Sequence, residues 1–180
     1  MTPAATLEIT ALGDVDADIV EYTLGKTSRA VGWRLSQLAL PESTVMAMIS
    51  RDNNVIAPRG STLLQAEDQL FIVLKPHTRI FVDCVFSGAT YGERNELSTQ
   101  ELRLKGNTKI ADIARSYNID IFGAAQDTLE QVIRSTLNTL PHIDAVVELG
   151  DVELYVRDMV AQRIITVGVL VIADKFKTLN

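Results

Sequence analysis

Ala145-Val146-Val147-Glu148-Leu149-Gly150-Asp151-Val152-Glu153-Leu154-Tyr155-Val156-Arg157-Asp158 decides the fold of the second half of this chain. Apolar Val152, Leu154 and Val156 alternate with Glu153, Tyr155 and Arg157, the period of a strand with one buried face. Gly150-Asp151 between two such runs is a two-residue hairpin signal. A third strand, Arg163 to Ile172, is apolar on both sides and belongs inside a sheet. Upstream the period changes. Ile110, Ile113, Ala114 and Tyr117 fall at i, i+3, i+4, i+7, one face of a helix. Asp127-x-x-Glu130 has the form of a capping box with Asp127 as N-cap. It opens a second helix carrying Leu129, Val132, Ile133, Leu137 and Leu140, which Pro141 ends. A short strand, Glu101 to Leu104, precedes both.

Further upstream, Ser87 to Gln100 is polar with two glycines and reads as a boundary. The domains predicted are therefore 1–86, a linker 87–101, and 102–180. The first half reads as short strands: Leu7 to Thr10, Asp18 to Leu24, Val45 to Arg51, Val55 to Ala57, and Asp68 to Leu74. Asp52-Asn53-Asn54 is the turn between the third and fourth. Ser28 is expected to cap a short helix with Val31, Leu35 and Leu38 on one face, ended by Leu40-Pro41. Thr78 to Phe86 fits a strand or a helix. No internal repeat or heptad is present. The fold class is α+β, in two small domains.

The 180 residues are 47% hydrophobic and 22% charged, an ordinary globular composition. A net charge of -6 and a pI near 4.9 argue against a nucleic-acid partner. No stretch approaches the roughly 20 apolar residues of a membrane helix. The N-terminus has neither the basic start nor the apolar core of a signal peptide. A single cysteine, Cys84, fits a reducing compartment.

No catalytic motif emerges. Gly25-Lys26-Thr27 resembles the end of a phosphate-binding loop, but Val20 stands where that loop needs a glycine. Asp14-x-Asp16-x-Asp18 begins like a calcium loop, yet Ile19 and Gly25 occupy the positions that demand Gly and Glu. His77 and His142 lie in different halves and, with one cysteine, make no zinc set. Cys84 sits among Ile80, Phe81, Val82, Val85 and Phe86 and reads as a packed thiol. Neither G-x-S-x-G nor G-x-G-x-x-G occurs. Trp33 is a packing anchor or a stacking platform, the former being the simpler reading. No metal or required cofactor is expected, and the chain is not expected to be an enzyme.

One segment, Met46 to Gly60, carries more. It has an apolar strand ending in Arg51, carboxamides Asn53 and Asn54 in a turn, then Ile56, Pro58 and Arg59. Such a set holds a flat heterocycle against aliphatic side chains, with carboxamides at its edge and Arg51 or Arg59 on a phosphate. The plainer alternative is a surface hairpin with solvated arginines.

This segment resembles the C-terminal subdomain of the RCK family, also called TrkA-C. The matching residues are Val31-Gly32-Trp33-Arg34-Leu35, Val45 to Arg51, Pro58-Arg59-Gly60-Ser61-Thr62 and Glu67-Asp68-Gln69-Leu70-Phe71-Ile72-Val73. Glu67 stands where that family usually has glycine, and Met48 interrupts the usual aliphatics. The second half resembles the transporter-associated CorC/HlyC domain through Leu104-Lys105-Gly106-Asn107-Thr108, Asp127-Thr128-Leu129, Leu140-Pro141, Val147 to Val152 and Ile165 to Val169. That order resembles the cytoplasmic tail of bacterial potassium/proton antiporters of the cell-volume-regulator type. The resemblance implies a β-α-β sandwich followed by two helices on a mostly antiparallel sheet. It also implies a ligand-sensing homodimer attached to a membrane transport domain at the cytoplasmic face of the inner membrane. The ligand implied is an adenine nucleotide, AMP-like or cyclic-dinucleotide-like, touching Ile49, Arg51, Asn53, Asn54, Ile56 and Pro58. The alternatives are a ligand-free dimerisation module, or a cation or pH sensor using Asp14, Asp16 and Asp18.

Overall fold

Val20 and Tyr22 are buried while Ile19, Glu21 and Thr23 are not, and this period of two sets the first sheet. The computed structural model describes residues 16–87, 100–119 and 121–172, together with the backbone of Thr6 and Leu7. The chain divides into two units, Met1–Gly88 and Ala89–Asn180.

The first unit holds β1 (Thr6–Leu7), β2 (Asp18–Thr23), β3 (Thr44–Arg51), β4 (Asn54–Ile56) and β5 (Gln69–Leu74). Their spatial order is β1-β2-β5-β3-β4, every neighbouring pair antiparallel. The remainder of the Leu7 to Thr10 strand reading lies outside the described residues. Thr78 to Phe86, open in the sequence, is resolved as helix: α1 (Arg79–Ser87). It buries Phe81, Val82, Cys84, Val85 and Phe86. The Tyr22 and Phe86 rings lie 5.3 Å apart, and the Tyr22 hydroxyl donates to Asp83 Oδ1 at 2.6 Å. Burial, then this carboxylate acceptor, pushes the Tyr22 phenol well above its ordinary range.

The helix expected from Ser28 is absent. Only one 3-10 turn forms, Leu35–Gln37. Gly32 sits at φ +84, which breaks a helix. The backbone bonds instead go across: Gly32 N–H donates to Leu64 O and Leu35 N–H to Thr62 O, while Leu64 N–H donates to Trp33 O. Ser28 Oγ donates to Phe86 O rather than capping. The strap 32–37 is thus tied to residues 60–64.

The second unit holds β6 (Leu102–Lys105), α2 (Ile110–Tyr117), α3 (Leu129–Thr136), β7 (Val146–Leu149), β8 (Val152–Val160) and β9 (Arg163–Val171). Its sheet runs β6-β9-β8-β7, all antiparallel, so the doubly apolar β9 is interior as its composition demands. Leu149 and Val152 pair across Gly150-Asp151, the expected hairpin. Gly150 lies at φ +65, and the Phe122 ring occupies the place of its missing Cβ, 2.6 Å from Cε2. At Gly106 a Cβ would lie 2.1 Å from Ile164 O. Only glycine permits the contact by which Gly106 N–H reaches Ile165 O and Gly106 O accepts from Glu130 N–H.

Both helices bury an apolar stripe: Ile110, Ile113 and Tyr117 on α2, and Leu129, Val132 and Ile133 on α3. The α3 cap is one residue later than expected. Thr128, not Asp127, is the N-cap: its hydroxyl accepts from Gln131 N–H, and Gln131 Oε1 accepts from Thr128 N–H. The helix also ends earlier. Leu137 is extended, Leu140 is 78% exposed, and Pro141 ends nothing. Ser135 and Thr136 hydroxyls both donate back to Val132 O, competing with the helical bond at that carbonyl.

Candidate functional site

β3 turns into β4 through Asp52 at φ 50 and Asn53 at φ 61, two left-handed residues that match the twist of a two-residue hairpin. Arg51 therefore pairs with Asn54, Ser50 with Val55 and Ile49 with Ile56. Asn53 and Asn54 are exposed at the tip, and Asn54 Nδ2 donates to Asp52 O at 3.0 Å. Ile56 and Pro58 are half-buried. Ile49 is completely buried and belongs to the core. The residues named from the sequence thus lie on one hairpin and its exit, except that Ile49 faces inward.

Arg51 is held from within. Its Nε donates to Asp68 Oδ1 at 2.7 Å and its Nη2 to Asp68 Oδ2 at 2.8 Å, a two-pronged fork. Nη2 also reaches Leu63 O at 2.8 Å. Asp68 is completely buried, and its Oδ2 accepts a further bond from Gln65 N–H at 2.8 Å. The fork raises the guanidinium pKa above its ordinary value, against the opposing effect of burial. Asp68 is the residue that sequence reading missed. The signal was there: a carboxylate opening the apolar run Leu70 to Leu74 must be either solvated or paired, and solvation is not available to it here.

Among the other candidates, Gly25-Lys26-Thr27 forms an exposed turn closed by Ser28 N–H on Gly25 O at 2.9 Å. Asp16 is exposed and Asp18 lies in β2; Asp14 is outside the described residues. Cys84 is buried, as its neighbours suggest. Trp33 is half-buried in the strap. Among the described residues, no three His, Cys, Asp or Glu side chains gather to hold a metal ion.

The second unit carries its own charged cluster. Arg157 Nε bonds both Glu101 carboxylate oxygens, at 2.9 and 3.1 Å, and its Nη2 closes the fork. Nη1 donates to Asp144 Oδ1 at 2.9 Å, and Arg103 Nε reaches Glu101 Oε1 at 2.9 Å. Glu101 lies over Gly168, where a Cβ would come within 2.5 Å of its carboxyl carbon. Burial pulls the Glu101 pKa upward, but hydrogen bonds and charge from Arg157 and Arg103 outweigh it and hold the group below its ordinary value.

The first unit is an antiparallel sheet with a helix and the second an antiparallel sheet with two helices, each carrying an arginine–carboxylate fork. Residues 19–79 match the TrkA-C domain and residues 95–172 match the transporter associated domain, CorC_HlyC, so the chain carries these two domains in that order. It is 26% identical over 125 residues to the K(+)/H(+) antiporter NhaP2 of Shewanella baltica (strain OS223), covering 69% of this chain and 22% of that protein. It is 31% identical over 70 residues to a Trk system potassium uptake protein TrkA homolog of Archaeoglobus fulgidus, covering 39% of this chain and 16% of that one. The chain therefore spans about a fifth of the curated relatives it matches. A crystal structure of a functionally unknown conserved protein from Haemophilus influenzae Rd KW20 overlaps 41% of this chain and 91% of its own, at TM-score 0.37 and 15% identity, too loosely to inform the fold. No helix among the described residues is long and apolar enough to cross a membrane.

Proposed function

We propose that this chain is the regulatory region of a potassium/proton antiporter, sensing an adenine nucleotide at the cytoplasmic face of the bacterial inner membrane. The observation that carries this is the succession of a TrkA-C domain and a transporter associated domain within one chain, together with similarity running through 125 residues of an antiporter. The proposed contacts are the hairpin tip and its exit: Asn53 and Asn54 at the edge of a base, Ile56 and Pro58 against its face, and Arg51 behind them. The region acts as a homodimer, so ligand sites come in symmetric pairs or lie on the axis.

The mechanism is linkage. A ligand that prefers one arrangement of the dimer shifts its population, and the connection to the membrane domain carries that bias to transport. A tenfold shift needs about 1.4 kcal/mol of differential affinity. The region itself moves no ion and makes no bond.

Thermal denaturation with AMP, ATP and cyclic di-AMP at millimolar concentration tests the reading, since a ligand of the folded state raises the melting temperature. A saturable rise for one of them is expected. A flat response to all three leaves a structural dimerisation module, and sedimentation equilibrium showing only monomer removes the dimer.

A further inference from the structure

The outer strands of the second unit's sheet differ in charge. In the order β6-β9-β8-β7, β6 and β7 have one neighbour each among the described residues. Gly106 N–H bonds Ile165 O, and bonded pairs of an antiparallel ladder recur at every second residue. Leu104 and Leu102 therefore bond to β9, while the N–H and C=O groups of Arg103 and Lys105 point away from the sheet. On the other side Val156 N–H bonds Ala145 O. Val147 and Leu149 therefore bond to β8, and the backbone of Val146 and Glu148 points away. The side chains of Arg103, Lys105, Val146 and Glu148 are exposed, whereas Leu102, Leu104 and Val147 are buried on the opposite face.

The β6 edge is basic: Lys105 makes no ion pair among the described residues, and Arg103 shares Glu101 with Arg157. The β7 edge is acidic. Glu148 stands directly across from Glu153, and neither is ion-paired among the described residues. Like charges directly opposite destabilise a sheet. Two β7 edges joined about a two-fold axis would gather Glu148 and Glu153 of both copies on one seam, and two β6 edges would set Arg103 opposite Lys105. A β6 edge against a β7 edge has neither fault. The pairs β6-β9, β9-β8 and β8-β7 are each antiparallel, so β6 and β7 run in opposite directions. A second copy displaced along the sheet thus continues the antiparallel ladder. We infer that the β6 edge of one copy pairs with the β7 edge of the next. Arg103 with Glu148 and Lys105 with Val146 are the bonded pairs, Leu104 lies beside Val147 on the buried face, and Lys105 reaches the same Glu148 diagonally. The contact is heterologous and builds an open row of copies. Its short strands put it among weak interfaces, below about 1,200 Å². This goes beyond the nucleotide-sensing reading and does not rest on it.

The test uses the full chain at rising concentration, followed by amide exchange in NMR and by sedimentation velocity. The amides of Arg103, Lys105, Val146 and Glu148 should exchange about twofold more slowly once half the copies are engaged, with Leu104 and Val147 unchanged. Raising salt from about 0.05 to about 0.5 M should weaken the effect severalfold. Glu148→Lys and Lys105→Glu should each abolish it, and the double variant carrying both should restore it, because the two edges have then exchanged sign. Val146→Pro, which removes an outward N–H and leaves the bonds to β8, should also abolish it. Circular dichroism melts verify that each variant folds. Exchange at the four amides that ignores concentration overturns the inference, as does association that leaves them unprotected. A double variant that stays apart while Glu148→Lys alone associates would replace the head-to-tail contact by a two-fold one and sink it equally.

Discussion

Glu67 takes a backbone conformation that suits glycine. It lies at φ 68, where its N–H reaches Leu24 O and the next residue turns the Asp68 carboxylate inward toward Arg51. An L-residue there carries a left-handed strain of roughly 1–2 kcal/mol, and glycine relieves it at some cost in unfolded-chain entropy. Glu67→Gly should therefore raise stability by about 0.5–1 kcal/mol, read as a higher urea midpoint with unchanged slope. An unchanged or lower midpoint would mean the side chain compensates the strain. Glu101 makes a prediction in pH. Its pKa is depressed in the folded state relative to an ordinary 4.5. The stability it contributes is present above that value and is lost as pH falls through the depressed folded value. Melting of the second unit should thus weaken on acidification below about pH 4.5, and Glu101→Gln should blunt the glutamate's share of that fall. A variant with the same acid profile as the parent would remove the fork as its cause.

At the scale of elements, the caps decide where helices begin and end. Thr128 and Gln131 exchange bonds at the start of α3, while Asp127 contributes backbone bonds and, among the described residues, no side-chain bond: its O accepts from Ile110 N–H and its N–H donates to Ala124 O. Thr128→Ala should cost about 1 kcal/mol, whereas Asp127→Ala should cost only a few tenths, about the worth of an acidic side chain near a helix start. Urea titrations of the two variants check the order, and a reversed order would restore Asp127 as the cap. The same scale explains the strap at 32–37. Its apolar spacing imitates a helix, but Gly32 and the bonds to residues 60–64 leave it as a brace for the segment that Arg34 and Arg51 both hold.

For the whole molecule, two sheets with separate cores mean two folding units. Buried Val20, Ile49, Leu70 and Ile72 serve one; Leu102, Leu104, Leu154 and Val169 serve the other. Each unit is long enough to bury its own core. Met1–Gly88 and Ala89–Asn180 expressed separately should each unfold cooperatively by circular dichroism, and failure of either alone would show that it depends on the other. The strands, their hairpin turns and the interior place of β9 could be read from residue order, because periods of two and 3.6 and the chemistry of turns are local properties. The boundaries of α3 and the missing helix at Ser28 could not, because hydroxyl back-bonding and cross-chain amides compete with propensity only once the partners meet. Asp68 could be suspected of needing a partner, but which arginine each carboxylate finds was beyond reach. Arg51 finds Asp68 across 17 positions and Arg157 finds Glu101 across 56. Charge pairing leaves no periodic trace in a sequence, and burial decides which carboxylate must be neutralised.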